Sequence, residues 1–348
     1  MSRFLHLVEL GIPLRHRFSS SLAAISERRV VLVGITEDGI TGWGEAAPYP
    51  AYTPETVEDV WEALTSGAGA FGGQRSELPA TAGAALGQAL ADLAARRTRI
   101  PLWSYLGGSG EPSTACAAIG LQESSDLMVS RVERMIEAGA GQVKIKIEPG
   151  RDVAPLRAVR ERFPGLAVAA DANGSYRSDD PSLAEFDDLG LAYLEQPLPA
   201  HDLAGHAALR RRWATPVCLD EPATTADAVE RIIEQEAADL VSLKPGILGP
   251  APTLRTIEML SSAGVGVKIG GLVETSVGRA HALALASRPS VTYTDLIPPL
   301  WLLAADPSPH AWDVVDGTLF PLDEQGLEVR TSYPPVSDYV KRSADFAA

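Results

Sequence analysis

The pattern of apolar and polar positions changes character about a third of the way along the chain. Before residue 114, runs at 4–10 and 29–35 alternate with the two-residue period of half-buried strands. A turn at Glu37-Asp38-Gly39 follows the second run, and extended character resumes at 41–46. Pro54 opens a helical pattern through Leu64, with Thr53 placed to cap it and Pro54 at the first helical position. The alanine-rich stretch 80–97 is helical by propensity and ends at Arg99-Ile100-Pro101. Strands first and helices after describe an α+β block.

From about residue 114, short apolar runs alternate with helical stretches. The runs are 115–120, 142–147, 167–171, 192–195, 216–220, 239–244, 265–270 and 291–295, with helical patterns such as 152–162, 226–236 and 253–263 between them. Eight strand-like runs in alternation with helices predict a parallel sheet, most economically a modified (β/α)8-type barrel. The strand-like stretch 317–329 is expected to return to the first block. The organisation predicted is an α/β protein: an α+β capping domain begun by 1–113, a barrel over 114–316, and a return to the cap over 317–348.

With 348 residues the chain is long enough for one large core and a smaller accessory domain. Its formal charge of −15 argues against nucleic acid or an anionic membrane as partner, since both would be repelled. No apolar run is long enough to span a bilayer, and Glu9 interrupts the N-terminal stretch, so a soluble, cytoplasmic protein is expected. Cys116 and Cys218 fall in predicted strands and read as buried thiols. A homo-oligomer is compatible with the sequence, which marks no interface.

Chemistry enters when the ionisable residues are placed on this frame. Lys146, Asp171, Glu195, Asp220 and Lys244 each end a predicted strand, on five consecutive strands, at a spacing of roughly 24–25 residues, one βα unit. That puts all five on the C-terminal rim, where barrel enzymes keep their sites. A lysine or acid at one strand end is as often half of a structural ion pair; five in register are not explained that way. Three converging carboxylates would repel one another, and oxygen-only donors call for a hard cation, Mg²⁺ or Mn²⁺, with open positions for a small-molecule carboxylate substrate. Lys144 and Lys146, two apart on one strand, face the same side. Positive charge and desolvation lower the pKa of a lysine and make it a useful base, and a metal together with Lys144 would do that to Lys146.

These motifs resemble those of the enolase superfamily, muconate-lactonising subgroup, and within it the o-succinylbenzoate synthase / N-acylamino acid racemase family. The matching segments are Lys144-Ile145-Lys146, Asp171-Ala172-Asn173, Glu195-Gln196-Pro197, Leu219-Asp220-Glu221, Lys244-Pro245-Gly246 and Gly270-Gly271-Leu272-Val273-Glu274-Thr275, with Gly42-Trp43-Gly44-Glu45 in the cap. The resemblance implies that Asp171, Glu195 and Asp220 hold the metal. It implies that Lys146 removes the proton next to the substrate carboxylate, with Lys144 beside it, and that Lys244 acts across the mouth. In the synthase this yields syn-dehydration on the menaquinone pathway. In a racemase the two lysines serve opposite faces of one carbon, and dipeptide epimerisation or muconate-type cycloisomerisation are further alternatives. Ile247 stands where members with racemase activity tend to carry Arg, Lys268 where relatives often have an aromatic, and Glu221-Pro222 replaces the commoner Glu-Ser. A non-catalytic barrel would have no need of two opposed lysines.

Asn173 is a candidate to orient a ligand or to satisfy the strand-end turn. Gly270 and Gly271 are candidates for contact with substrate, as are Phe18 and Ser20 in the region 15–21 that relatives use as a lid. Glu274 reads as a carboxylate at a helix N-terminus, and Arg210-Arg211-Arg212 as a solvated helix face. No histidine lies on the rim, and no glycine-rich nucleotide motif is present.

Overall fold

The computed structural model describes residues 3–19, 23–49, 52–66, 78–310 and 312–347. Strands β1 (Arg3–Ser19), β2 (Ala24–Glu37) and β3 (Ile40–Ala46) form an antiparallel meander. Two helices follow, α1 (Val57–Thr65) and α2 (Ala80–Thr98). The alternation seen at 4–10 is buried on both faces of this sheet. Leu5, Leu7, Val31, Val33 and Ile35 pack against α2, while Val8, Leu10, Ile12 and Leu32 pack with Leu272, Val277 and Ala280 of the barrel. Small side chains on α2 let it approach β3 closely: a Cβ on Gly44 would lie 2.0 Å from Ala85 O. That proximity lets α2 satisfy the edge of β3, as Gln88 Oε1 accepts from Glu45 N and Asp92 Oδ2 from Trp43 N, each at 2.9 Å.

The first helix starts later than expected. Its cap is Thr56, not Thr53, because Thr56 and Asp59 satisfy each other's backbone N–H groups in a capping box. Thr53 instead accepts from Tyr49 N within the preceding loop.

Eight parallel strands make the second sheet in unbroken chain order: β4 (Cys116–Ile119), β5 (Gln142–Lys146), β6 (Ala167–Asp171), β7 (Leu194–Glu195), β8 (Val217–Leu219), β9 (Leu240–Leu243), β10 (Gly266–Ile269) and β11 (Val291–Thr294). The ring nearly closes. Cys116 N donates to Leu296 O, and Thr294 Oγ1 to Thr114 O. The principal helices outside it are α3 (Ser125–Glu137), α4 (Val153–Arg162), α5 (Leu203–Arg212), α6 (Ala226–Glu234), α7 (Pro250–Ser262) and α8 (Ser276–Ala286). Val143, Ile145, Val168, Val241 and Ile269 face the helices and belong to the continuous core between sheet and helices, while Ala169, Tyr193, Cys218 and Leu240 pack inside the ring.

The tail behaves differently from its expected role. Within 317–329 only Thr318–Leu319 is strand, and it pairs with Ser113–Thr114 below the barrel. The strand that returns to the cap is β12 (Val340–Ala347), antiparallel to β1. Its alternating exposure, one face on the sheet and one in solvent, is the expected pattern for an outer strand. Both cysteines are buried free thiols. Among the described residues no helix is long and apolar enough to cross a membrane.

Candidate active site

Ladder register delivers the strand-end residues to one rim. Lys146 pairs with Asp171 and Asp171 with Glu195 across β5, β6 and β7. Asp220 and Lys244 immediately follow β8 and β9. All five are at most 6 % exposed. Lys144, two residues before Lys146, faces the same interior and is buried.

Each carboxylate closes on an ammonium group. Lys146 Nζ donates to Asp171 Oδ2 and Asn173 Oδ1, both at 2.7 Å. Lys144 Nζ lies 2.9 Å from Asp171 Oδ2, 2.9 Å from Glu195 Oε1 and 2.6 Å from Asp295 Oδ2. Lys244 donates to Asp220 Oδ1. Lys268 donates to Glu195 Oε2 at 2.6 Å and stands 3.1 Å from Asp295 Oδ2. Among the described residues no three His, Cys, Asp or Glu side chains form a ligating cluster ready-made. The arrangement is therefore a lattice of acids and amines rather than a bare acidic triad. The physical reason is that buried carboxylates require counter-charge, and the lysines on the same rim supply it.

Burial pushes Glu195 above the ordinary carboxylate range; Lys144 and Lys268 oppose this, and repulsion from Asp171 and Asp220 adds to it. For Asp171, Asp220 and Asp295 burial also works against ionisation, yet the lysines outweigh it and hold all three below that range. Glu221, beside Asp220, is pushed up to about 8 by burial and by the charges of Asp220 and Asp171. Burial disfavours the ammonium forms of Lys144 and Lys268, but neighbouring carboxylates override it and raise both. The donor chemistry fits a hard divalent cation: every candidate ligand is an oxygen. Asp220 Oδ2 and Glu221 Oε2 are in addition buried with no hydrogen-bond partner.

A cavity of about 660 Å³, its open mouth included, covers this rim. Lys144, Lys146, Lys244, Gly271 and Asp295 line it from the barrel, and Phe18, Tyr49 and Tyr52 from the cap. Phe18 lies near the end of β1, which continues as strand through Ser19 instead of giving way to a loop at 15, because Phe18 and Ser19 still pair with Ile25 and Ala24. Ser20 lies outside the described residues. The hairpin is seated on the barrel mouth, where Ser19 O accepts from Leu121 N at 3.1 Å. Gly271 N donates to Asp295 Oδ1 at 2.9 Å. A Cβ on Gly270 would lie 2.8 Å from Ser242 Oγ and 3.4 Å from Lys244 Nζ, so a side chain there would crowd the amine. Asn173 makes the strand-end turn and is held from two sides by its side chain. Its backbone takes the left-handed turn at φ 46°, and its Nδ2 donates to Tyr52 Oη and Glu221 Oε1, each at 2.8 Å.

Several participants were not identified from the sequence. Asp295 closes the run 291–295, and the strand-end rule that marked the other acids applies to it equally. Tyr52 carried no signal, being a loop residue that the cap brings over the mouth; its ring centroid lies 4.4 Å from Lys244 Nζ. The carboxylate at the N-terminus of α8 is not Glu274 but Glu45 of the cap, which accepts from Thr275 N, Thr275 Oγ1 and Gly278 N. Glu274 turns to Leu272 N and Arg279.

A capped parallel barrel with acids and lysines interleaved on its C-terminal rim defines the enolase-like class of barrel enzymes. The enolase C-terminal domain-like family matches residues 127–332, and the chain belongs to the enolase superfamily. It is 36% identical to the N-succinylamino acid racemase of Thermus thermophilus, over 81% of this chain and 82% of that one. It is 33% identical to the o-succinylbenzoate synthase of Bacillus subtilis, over 82% of each. The dipeptide epimerase of Cytophaga hutchinsonii, solved with Mg and D-Ala-L-Val, shares the fold at 21% identity with a TM-score of 0.89, covering 99% of each chain.

Proposed function

We propose that this protein is a Mg²⁺-dependent lyase of the o-succinylbenzoate synthase type, acting on a small carboxylate by removing the proton next to it. The observation that carries the reading is that Lys146 and Lys244, on strands either side of the three acids, both open into one cavity. In this reading 114–316 form the barrel that carries the chemistry, and 1–113 with 317–348 form the cap that shapes the pocket. The setting proposed is the cytoplasm, on the route to menaquinone.

Asp171, Glu195 and Asp220 would hold the cation, which when bound polarises the substrate carboxylate and lowers the cost of charge developing on it. Lys146 takes the α-proton as general base. Its amine is aimed by Asn173, which Tyr52 and Glu221 fix in turn. Lys146, now protonated, returns that proton to the hydroxyl leaving from the same face, so the elimination is syn and releases water. Lys244, resting on the Tyr52 ring, stabilises the developing negative charge from the other side. Tyr49, Phe18 and the cap sheet exclude water while this happens.

Racemisation of an N-succinylamino acid is a second reading, supported by the same opposed lysines and by the Thermus relative. It requires only that Lys244 deliver a proton to the opposite face. Buried, apolar Ile247 weighs for dehydration. The test is turnover of the hydroxylated precursor of o-succinylbenzoate beside N-succinylamino acids, each with Mg²⁺ and with chelator. Activity is expected to require Mg²⁺, and Lys146→Ala is expected to abolish it together with exchange of the α-proton into D₂O. Full activity in Lys146→Ala would place the base elsewhere.

A further inference from the structure

Lys268 is set apart from the other amines. Lys144, Lys146 and Lys244 line the cavity, whereas Lys268 has no exposed surface and does not. It rises from β10 inside the barrel, beneath the rim. Its Nζ lies 2.6 Å from Glu195 Oε2, 3.1 Å from Asp295 Oδ2 and 3.4 Å from Ser242 Oγ. Its fourth neighbour is the Tyr193 ring, with the centroid at 5.5 Å. No substrate can reach this amine without dismantling the floor, so it has no part in proton transfer.

Its charge nonetheless belongs to the site. Asp171, Glu195, Asp220 and Asp295 balance Lys144, Lys146, Lys244 and Lys268 one for one. A divalent cation alone would leave two surplus positive charges, and the substrate carboxylate removes one of them. Without Lys268 the same site would carry one surplus negative charge and would suit a cation with no substrate present.

We propose that Lys268 is a positioning residue and internal counter-ion: it holds Glu195 from below and weakens cation binding, so that metal and substrate carboxylate bind cooperatively. This rests on Asp171, Glu195 and Asp220 being the cation ligands. A unit charge hydrogen-bonded to a ligand carboxylate is close enough to change divalent-ion affinity by about tenfold or more.

The test is Mg²⁺ titration by calorimetry without substrate, on the wild type and three variants. Lys268→Met is expected to bind Mg²⁺ about tenfold more tightly or better. Asp295→Asn, which leaves the opposite imbalance, is expected to bind about tenfold more weakly. The double variant removes the buried pair together and is expected to return to within about threefold of wild type, with the single effects cancelling as a coupled cycle. Substrate is expected to tighten Mg²⁺ binding less in Lys268→Met than in the wild type. Weaker or unchanged binding in Lys268→Met overturns the proposal. Should that variant not fold, a double variant as weak as Asp295→Asn overturns it equally. A wild type that gives no Mg²⁺ binding removes this proposal and the metal reading with it, whereas normal binding with a flat cycle removes Lys268 alone.

Discussion

Acid should strike this protein at His206, on α5 and outside the proton-transfer site. The imidazole has no exposed surface. Nδ1 lies 2.7 Å from Asp202 O and so carries the hydrogen, leaving Nε2 to accept from Leu198 N at 3.2 Å. Burial lowers its pKa from 6.5 to about 4, against the opposing pull of the Asp202 hydrogen bond. Above pH 6.5 the ring is neutral in both folded and unfolded chains, and stability does not respond. As pH falls from 6.5 toward 4 the unfolded chain binds a proton that the native state refuses, so stability declines across that window. The full loss is about 3 kcal/mol by pH 4. Leu198 lies just beyond Glu195-Gln196-Pro197, so the segment released would be the one that orients Glu195. Urea unfolding from pH 7 to pH 4, in wild type and His206→Gln, isolates the effect. Glutamine keeps an acceptor for Leu198 but does not titrate, and the carboxylates cancel in the comparison. The difference in stability is expected to shift by about 3 kcal/mol in favour of the variant over that range. A difference that stays constant with pH would refute the argument.

Gly44→Ala should cost about 3 kcal/mol in denaturant unfolding, because the new Cβ would meet Ala85 O, a backbone atom with no freedom to yield. Gly83→Ala, on the same α2 helix but with nothing within 4 Å of its Cβ position, should instead gain about 0.5–1 kcal/mol; a loss would show that the helix backbone there is not free to accept a side chain. Burial pushes the Cys116 thiol up to about 12 and raises Cys218 well above its ordinary value, so neither should react with a thiol reagent in the native state, and both should do so in urea. Rapid labelling of the folded protein would contradict the packed barrel wall.

The barrel was legible in the sequence because period and spacing are local signals. Each of the eight runs contains an observed strand, and Lys146, Asp171, Glu195, Asp220 and Lys244 stand at strand ends because side-chain alternation and βα length are fixed by the chain itself. What long-range contact decides was not legible. The cap at Thr56 is the exception, since its capping box with Asp59 joins residues only three apart and lies within reach of a local reading. The tail read as a strand at 317–329 because Leu322 and Leu327 are buried in the core between cap and barrel without forming strand, while β12, with exposed alternate residues, looks polar in isolation. Tyr52 and Glu45 act on the barrel from the cap, over separations that no window along the chain can see. The pairing of acids with amines follows from burial, which the sequence does not state.

Because every rim residue is presented by counting along its own short strand, tolerance to length changes should be sharply uneven around this barrel. Loss of one residue within β6 or β7 would turn Asp171 or Glu195 from the interior to the helix-facing side, whereas added residues at the far end of a neighbouring helix leave the count untouched. Drift in such a lineage is thereby channelled into connecting segments, where pocket shape can change while the acids and amines keep their stations.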